Sequence, residues 1–203
     1  ALHYTNAHGT DLTVGLTDKH LFNGGGDTTV DGVAFFPNMP TEEIFSSPDR
    51  LRAEGTVVSA MPLAHNGSLI ENFSLTFKDG RVVDLHAERG EDVLHSIVET
   101  DENSCRLGEV ALVPFDSPIR NAGVLFYSTL FDENASCHLA LGRGFADCYE
   151  GGYDMTEDEL FEAGVNKSAT HVDFMIGTDD LNIDGIKADG ERAAIFRNGN
   201  WAF

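Results

Sequence analysis

The stretch Asn72-Phe73-Ser74-Leu75-Thr76-Phe77-Lys78-Asp79-Gly80-Arg81-Val82-Val83-Asp84-Leu85-His86 reads as a β-hairpin. Phe73, Leu75 and Phe77 recur at every second position, the period of a half-buried strand. Asp79-Gly80 supplies the two left-handed backbone positions that a tight hairpin turn demands. A second hairpin closes the chain, with Asn198-Gly199 between residues 193–197 and 200–203. Short β-branched and aromatic runs at residues 11–16, 32–36 and 56–62 add further strands. Helices are fewer. Residues 91–100 set Val93, Leu94, Ile97 and Val98 on one helical face. Residues 157–163 follow a capping box (Thr156, Glu159) and a hydrophobic staple (Met155, Leu160), and stop at Gly164. A third helix is predicted over residues 134–141, ended by Gly142. With strands dominant and no regular βαβ alternation, the pattern predicts an α+β class: a β-rich domain over residues 1–203, with a large mixed, curled sheet and a few short helices.

Charge narrows the partners. The 203 residues carry 13 Lys+Arg against 34 Asp+Glu, a formal net charge of −21. Nucleic-acid binding rests on cationic side chains neutralising phosphates, so it is disfavoured, as is an anionic membrane surface. Cationic partners are favoured instead: metal ions, basic peptides and free amino termini. A hydrophobic share of 41 % with 14 Phe is enough for a core, so the acidity does not signal disorder. No apolar run approaches the roughly 20 residues of a membrane helix, and Ala1-Leu2-His3-Tyr4 does not start a signal peptide. Three cysteines, Cys105, Cys137 and Cys148, are too few and odd in number for a disulfide framework. The Asn-x-Ser matches at Asn66, Asn72, Asn134 and Asn166 are then silent, and a cytoplasmic location follows. The sequence begins without Met, as a piece of a longer chain would.

Four segments hold the chemistry. In the strand-like His171-Val172-Asp173-Phe174-Met175-Ile176-Gly177, residues two apart share a face. His171 and Asp173 therefore converge while Val172 and Phe174 enter the core. That pairing suits a divalent ion of intermediate hardness such as Zn, Co or Mn, although a lone His beside an Asp is more often a surface pair. In Phe131-Asp132-Glu133-Asn134-Ala135-Ser136-Cys137-His138-Leu139-Ala140-Leu141-Gly142, Asn134 as N-cap puts His138 in the first turns of a helix. Helical neighbours diverge by about 100°, which argues against Cys137-His138 as a nucleophile with its base. A helical His ligand and a core His both fit. In Thr41-Glu42-Glu43-Ile44-Phe45, between Pro40 and Pro48, the glutamates are expected to open a short helix, where negative charge suits the dipole. Glu109 sits in the apolar run Leu107-Gly108-Glu109-Val110-Ala111-Leu112-Val113, so its carboxylate needs a partner, and a metal would supply one.

These blocks, with Gly9-Thr10-Asp11-Leu12-Thr13-Val14-Gly15-Leu16, Asn38-Met39-Pro40-Thr41-Glu42-Glu43-Ile44-Phe45 and residues 166–177, resemble the thermophilic-type metallo-aminopeptidases, the group of aminopeptidases S, T and II. The resemblance runs from end to end. It implies a dinuclear site on Glu43, Glu109, His138, His171 and Asp173, holding two divalent metal ions (Zn, Co or Mn). It implies a cytoplasmic homodimer that removes amino-terminal residues from peptide substrates with a free amino terminus. The family's amino-terminal α/β domain is absent from this sequence, which then corresponds to the catalytic carboxy-terminal half. One departure stands out: Phe145 occupies the position where the family usually has Tyr, with Tyr149 as a substitute if that segment is helical. Five ligands suffice for two metals if Glu109 bridges and Glu43 binds one of them. The general base is then a carboxylate beside the site but outside the ligand set; Glu42 is the candidate and Glu43 the runner-up. An anionic cleft predicts uncharged or basic first residues over acidic ones.

Two rival readings remain. Asp180-Leu181-Asn182-Ile183-Asp184-Gly185-Ile186-Lys187-Ala188-Asp189-Gly190-Glu191 satisfies the calcium-loop pattern in full. Its flanks oppose a calcium-binding module: an EF-hand loop joins two helices, whereas Met175-Ile176-Gly177 reads as strand and Asn198-Gly199 breaks the exit. The other rival, a non-catalytic metal- or peptide-binding fragment, draws on Phe145 and the missing half.

Overall fold

The computed structural model describes residues 1–37 and 41–203; Asn38-Met39-Pro40, part of one quoted block, lies outside them. In chain order the strands begin with β1 (Leu2–Thr5), β2 (Asp11–Leu16), β3 (Asn23–Gly24), β4 (Asp27–Thr28), β5 (Ala34–Phe35) and β6 (Ile44–Ser46). The long strands β7 (Pro48–Val58), β9 (Ser68–Lys78) and β10 (Arg81–Arg89) follow, with the short β8 (Leu63–His65) between the first two. After helix α1 (Glu91–Val98) come β11 (Leu107–Leu112), the one-turn helices α2 (Pro118–Asn121) and α3 (Thr129–Asp132), and β12 (His138–Gly142). Helix α4 (Glu157–Glu162), β13 (His171–Met175), β14 (Asn182–Ile186), β15 (Arg192–Arg197) and β16 (Asn200–Trp201) complete the chain.

The strands form a nine-stranded sheet in the order β10-β9-β7-β2-β1-β14-β15-β16, with β8 on β9. A five-stranded sheet runs β13-β12-β11-β6-β3, and β4 pairs with β5 alone. The α+β class expected from the sequence holds, with helix and strand mixed. Strand direction is not mixed: every described pair is antiparallel. Both predicted hairpins form. Asp79 (φ 49°) and Gly80 (φ 74°), then Asn198 (φ 50°) and Gly199 (φ 74°), take the left-handed conformation of their turns. The capping box of α4 is complete: Thr156 Oγ1 accepts from the Glu159 amide at 3.3 Å and Glu159 Oε2 from the Thr156 amide at 2.7 Å.

The core lies where the two sheets meet. Leu12, Val14, Phe73, Leu75 and Phe77 of the large sheet and Val110, Leu139, Leu141, Val172 and Phe174 of the smaller one are buried in a single apolar cluster. The rings of Phe73 and Phe174, 5.8 Å apart, join the two across the interface. Since strand side chains alternate, burying Val110, Leu139 and Phe174 turns the odd and even partners Glu109, His138 and Asp173 to the opposite face. Core packing thus sets the direction of the chemistry-bearing side chains.

Two sequence expectations fail locally. Residues 134–141 are not a helix: a 3-10 turn at Glu133–Ala135 is followed by extended Ser136 (φ −167°, ψ 174°) and then by β12. The vacant place between β11 and β13 decides this, because a strand there pairs on both sides, which no local helix preference of about 1 kcal/mol outweighs. Glu42 and Glu43 open no helix either; they lead directly into β6, which pairs with β11.

Asp101 ties the approach to β13. Its Oδ1 accepts from the amides of Asn103 (2.8 Å) and Ser104 (2.9 Å), and its Oδ2 from Ser168 Oγ (2.8 Å) and the Ala169 amide (2.7 Å). Burial disfavours its charge, but these donors outweigh burial and hold the carboxyl below its ordinary value. A depressed carboxyl stabilises the fold above its unfolded value and loses that contribution as pH falls through the lower folded value. Asp101→Ala is therefore expected to cost roughly 1–3 kcal/mol at pH 7 in urea unfolding. The gap from wild type should shrink as pH drops below 4; a gap that persists there counts against the assignment.

Candidate metal centre

The register of the smaller sheet assembles the site. Ala140 of β12 stands between Glu109 of β11 and Asp173 of β13, and His138 stands opposite Ala111 two positions along. The small Ala140 and Ala111 leave space that the side chains of Glu109, His138 and Asp173 share. A bulge between Leu107 and Glu109 re-aims Glu109. Only glycine fits at its centre, because a Cβ on Gly108 would run into the carbonyl oxygens of Arg143 and Gly142. Glu43 precedes β6 with the same parity as Phe45, which pairs with Ala111 and faces the same cavity.

Glu109 lies between two imidazoles. Its Oε2 is 3.1 Å from His171 Nε2 and its Oε1 is 3.8 Å from His138 Nε2. His138 Nε2 is also 3.4 Å from Glu43 Oε1, and His171 Nε2 is 3.3 Å from Asp173 Oδ1. Two overlapping donor sets result, Glu43–Glu109–His138 and Glu109–His171–Asp173, each with ligand atoms within 4.8 Å of one another. The structure thus brings together Glu43, Glu109, His138, His171 and Asp173, the five residues that the family resemblance implies as ligands. His171 and Asp173 converge as the strand period predicts, while His138 arrives from a strand and not from a helix.

Hydrogen bonds at the far side of each ring define its tautomer. His138 Nδ1 is 3.1 Å from the Ser136 carbonyl and His171 Nδ1 2.7 Å from the Arg143 carbonyl. A carbonyl only accepts, so each Nδ1 carries hydrogen and donates, and Nε2 is the atom presented to the carboxylates. Such second partners orient metal-binding imidazoles in general.

The protonation balance is that of a site built around cations. Burial pushes the Glu109 carboxyl up, against the two imidazoles. Burial opposes charge on His138 and His171 too, yet the surrounding carboxylates raise them to about 10 and about 11. Asp173 is lowered: burial opposes ionisation, but the His171 hydrogen bond and charge prevail. Asp173 Oδ1 is nevertheless buried without an aligned hydrogen-bond donor. Glu133, buried beside Asp173, is pushed up to about 8, chiefly by burial and then by the Asp173 charge. With Glu133 protonated at pH 7, the carboxylates of Glu43, Glu109 and Asp173 still outnumber the two imidazolium rings in a low-dielectric pocket, and divalent ions would offset the excess negative charge. The donor set and the undonated Asp173 oxygen fit such ions.

The cluster borders a cavity of about 390 Å³, walled by Phe45, Leu130, Phe145, Pro37 and Gly25 and by the carboxyls of Glu133 and Asp147. A larger one of about 740 Å³, beside α1 and Tyr127, contains none of the clustered ligands. Phe145 packs on His171 with ring centroids 4.9 Å apart and edge-to-face on Phe45 at 5.8 Å, so it buttresses that imidazole but offers no hydroxyl. Tyr149 follows a 3-10 turn and does not line the cavity. Glu42 is exposed and does not line it either. Glu133 was not singled out from sequence. Its signal was faint: Asp132, Glu133 and Asn134 are three consecutive polar residues, all buried, in a segment that reads as an ordinary polar helix start.

The calcium-like segment is a strand followed by a hairpin. Asp184 lies on β14 and is paired with Arg192 and Arg197, while Lys187 pairs with Glu191 at 2.8 Å. An EF-hand loop between helices is not what this segment forms. Asp180 accepts from Thr178 Oγ1 at 2.6 Å and the Ala7 amide at 2.8 Å.

A buried pair of donor sets sharing one carboxylate on an antiparallel sheet is the mark of a protein that binds divalent metal. The chain belongs to the thermophilic metalloprotease family (M29), whose model matches residues 1–201. It is 58 % identical over 203 residues to aminopeptidase AmpS of Bacillus subtilis, covering 100 % of this chain and 49 % of the relative. Against aminopeptidase PepS of Streptococcus thermophilus it is 54 % identical, covering 99 % and 48 %. The solved structure of wild-type AmpT from Thermus thermophilus superposes with a TM-score of 0.93 at 45 % identity, over 100 % of this chain and 50 % of that one. The chain thus spans about half the length of the relatives it matches. Among the described residues, no helix is long and apolar enough to cross a membrane.

Metal binding must displace the protons on the two Nε2 atoms. With His138 raised to about 10 and His171 to about 11, both carry them at pH 7. Filling both donor sets with divalent ions is expected to release about two protons per chain, one from each imidazole, and affinity to rise with pH. Calorimetric titration with Zn2+ in buffers of different ionisation heat measures this; uptake without proton release contradicts the imidazole assignment.

Proposed function

We propose that this chain carries the catalytic machinery of a dinuclear metal-dependent aminopeptidase, which hydrolyses the amino-terminal residue of peptides. The observation that carries the proposal is Glu109, whose two oxygens each face a different imidazole. Glu43, Glu109 and His138 would hold one ion; Glu109, His171 and Asp173 would hold the other. When bound, a pair of divalent ions (Zn, Co or Mn) supplies Lewis-acid activation of a shared water and of the scissile carbonyl.

The chain's own residues do the rest. Carbonyls of Ser136 and Arg143 hold the rings with Nε2 inward. Phe45, Leu130 and Phe145 narrow the entrance and limit water. The acidic cavity attracts the free ammonium of a peptide and repels acidic first residues. A proton acceptor must border the cavity yet stay outside the five-ligand set. Glu133 meets both conditions; divalent ions at the neighbouring carboxylates would offset the charge that helps keep its carboxyl protonated, leaving an oxygen free to receive the proton, whereas Glu42, the candidate from sequence, faces solvent. Relatives carrying the name aminopeptidase support the substrate class. Cytoplasmic location, the absence of nucleic-acid or membrane partners and homodimer assembly belong to the same proposal. Exposed Val33, Phe35, Phe36, Val124, Phe126 and Leu130 supply apolar surface for a partner subunit.

One assay tests the function and the base together. An aminoacyl reporter should be cleaved, its N-acetylated twin spared, and cleavage abolished by a chelator. In the same assay Glu133→Gln is expected to lose about 10²–10⁴-fold in kcat with its metal content retained, and Glu42→Gln to stay within a few-fold of wild type. The reverse order places the base on Glu42, and chelator-resistant cleavage defeats the metal reading itself.

A further inference from the structure

A second cavity, of about 370 Å³, lies against the metal centre. The two adjoin, sharing Gly25, Pro37, Phe45 and Asp147 along their common border. Gly25 leaves open space where a side chain would stand. Phe45 forms an apolar flank, suited to the methylene stem of a long side chain.

The cavity is anionic, from Asp147 at the junction to Asp27 beyond it. Asp147 and Asp27 line this cavity and no Lys or Arg does. Asp147 is half-buried, and among the described residues no cationic side chain pairs with it. The Tyr153 phenol feels both acids: the Asp147 charge above all, with burial and the Asp27 charge adding to it, pushes its pKa up. The Asp147 backbone is anchored, because Asn23 Nδ2 donates to its main-chain carbonyl at 3.0 Å. A carboxylate kept at a junction without its own counter-ion is poised to take one from a ligand.

We infer that this cavity receives the side chain of the substrate's first residue and that Asp147 selects a cationic one, Lys or Arg. The inference rests on the proposed aminopeptidase function and adds to it the residue that sets specificity. The first residue is the one held at the metal centre by its amine and carbonyl, so its side chain is the part nearest the shared wall. A lysine ammonium or arginine guanidinium can then meet Asp147, with Asp27 and the Tyr153 hydroxyl beyond it.

Lys- and norleucine-initiated aminoacyl reporters have the same straight carbon chain and differ in the terminal ammonium, so the ratio of their kcat/KM values isolates that charge. Wild-type protein at low salt is expected to favour Lys by about tenfold. The ratio should fall towards one in Asp147→Asn and should fall in the wild type as salt is raised. A wild-type ratio near one overturns the inference, as does a ratio that Asp147→Asn leaves unchanged even if both rates drop. In those cases, chelator-sensitive cleavage of the norleucine reporter still upholds the aminopeptidase reading. Cleavage of neither reporter overturns both.

Discussion

The buried carboxylate of Glu109 is the constraint around which the rest is arranged. Alone in an apolar strand it would cost several kcal/mol to ionise, and its oxygens instead meet His171 at 3.1 Å and His138 at 3.8 Å. Each imidazole is fixed from behind by a backbone carbonyl, and each has a second carboxylate, Glu43 or Asp173, in front. Two half-sites therefore share one acid. Removing any member leaves a buried charge without its partner, which is why the cluster makes chemical sense as a whole and not as separate ion pairs.

The fold explains how five distant residues reach this geometry. Antiparallel pairing of β6, β11, β12 and β13 brings residues 43, 109, 138, 171 and 173 within one patch. Burial of Val110, Leu139 and Phe174 against the large sheet forces their strand neighbours to the opposite face. The bulge at Gly108 supplies the local correction that turns Glu109 between the rings. The Asp101 hydrogen bonds steady the segment entering β13.

What the sequence disclosed follows the range of the forces involved. The Asp79-Gly80 turn and the convergence of His171 with Asp173 are local, set by left-handed turn residues and by a period of two, and both were legible. The state of residues 134–141 was not. Asn134 as N-cap and Gly142 as stop suit a helix, and only the presence of β11 and β13 on either side selects a strand. Glu43 illustrates the same limit, since an acid after Pro40 suits a helix start until pairing with β11 extends the chain. Glu133 and Asp147 escaped notice because nothing local separates a buried acid from a solvated one. The family resemblance implies the ligand set, and the geometry supplies the physical reason why those five residues belong together.

The account stands most directly on the sharing of Glu109, and metal content per chain measures it. Wild-type protein loaded with Zn2+ and desalted is expected to retain two ions, Glu43→Ala and Asp173→Ala one each, and Glu109→Ala none, with all variants folded by circular dichroism. Two ions retained by Glu109→Ala, or a single ion in the wild type, would contradict it.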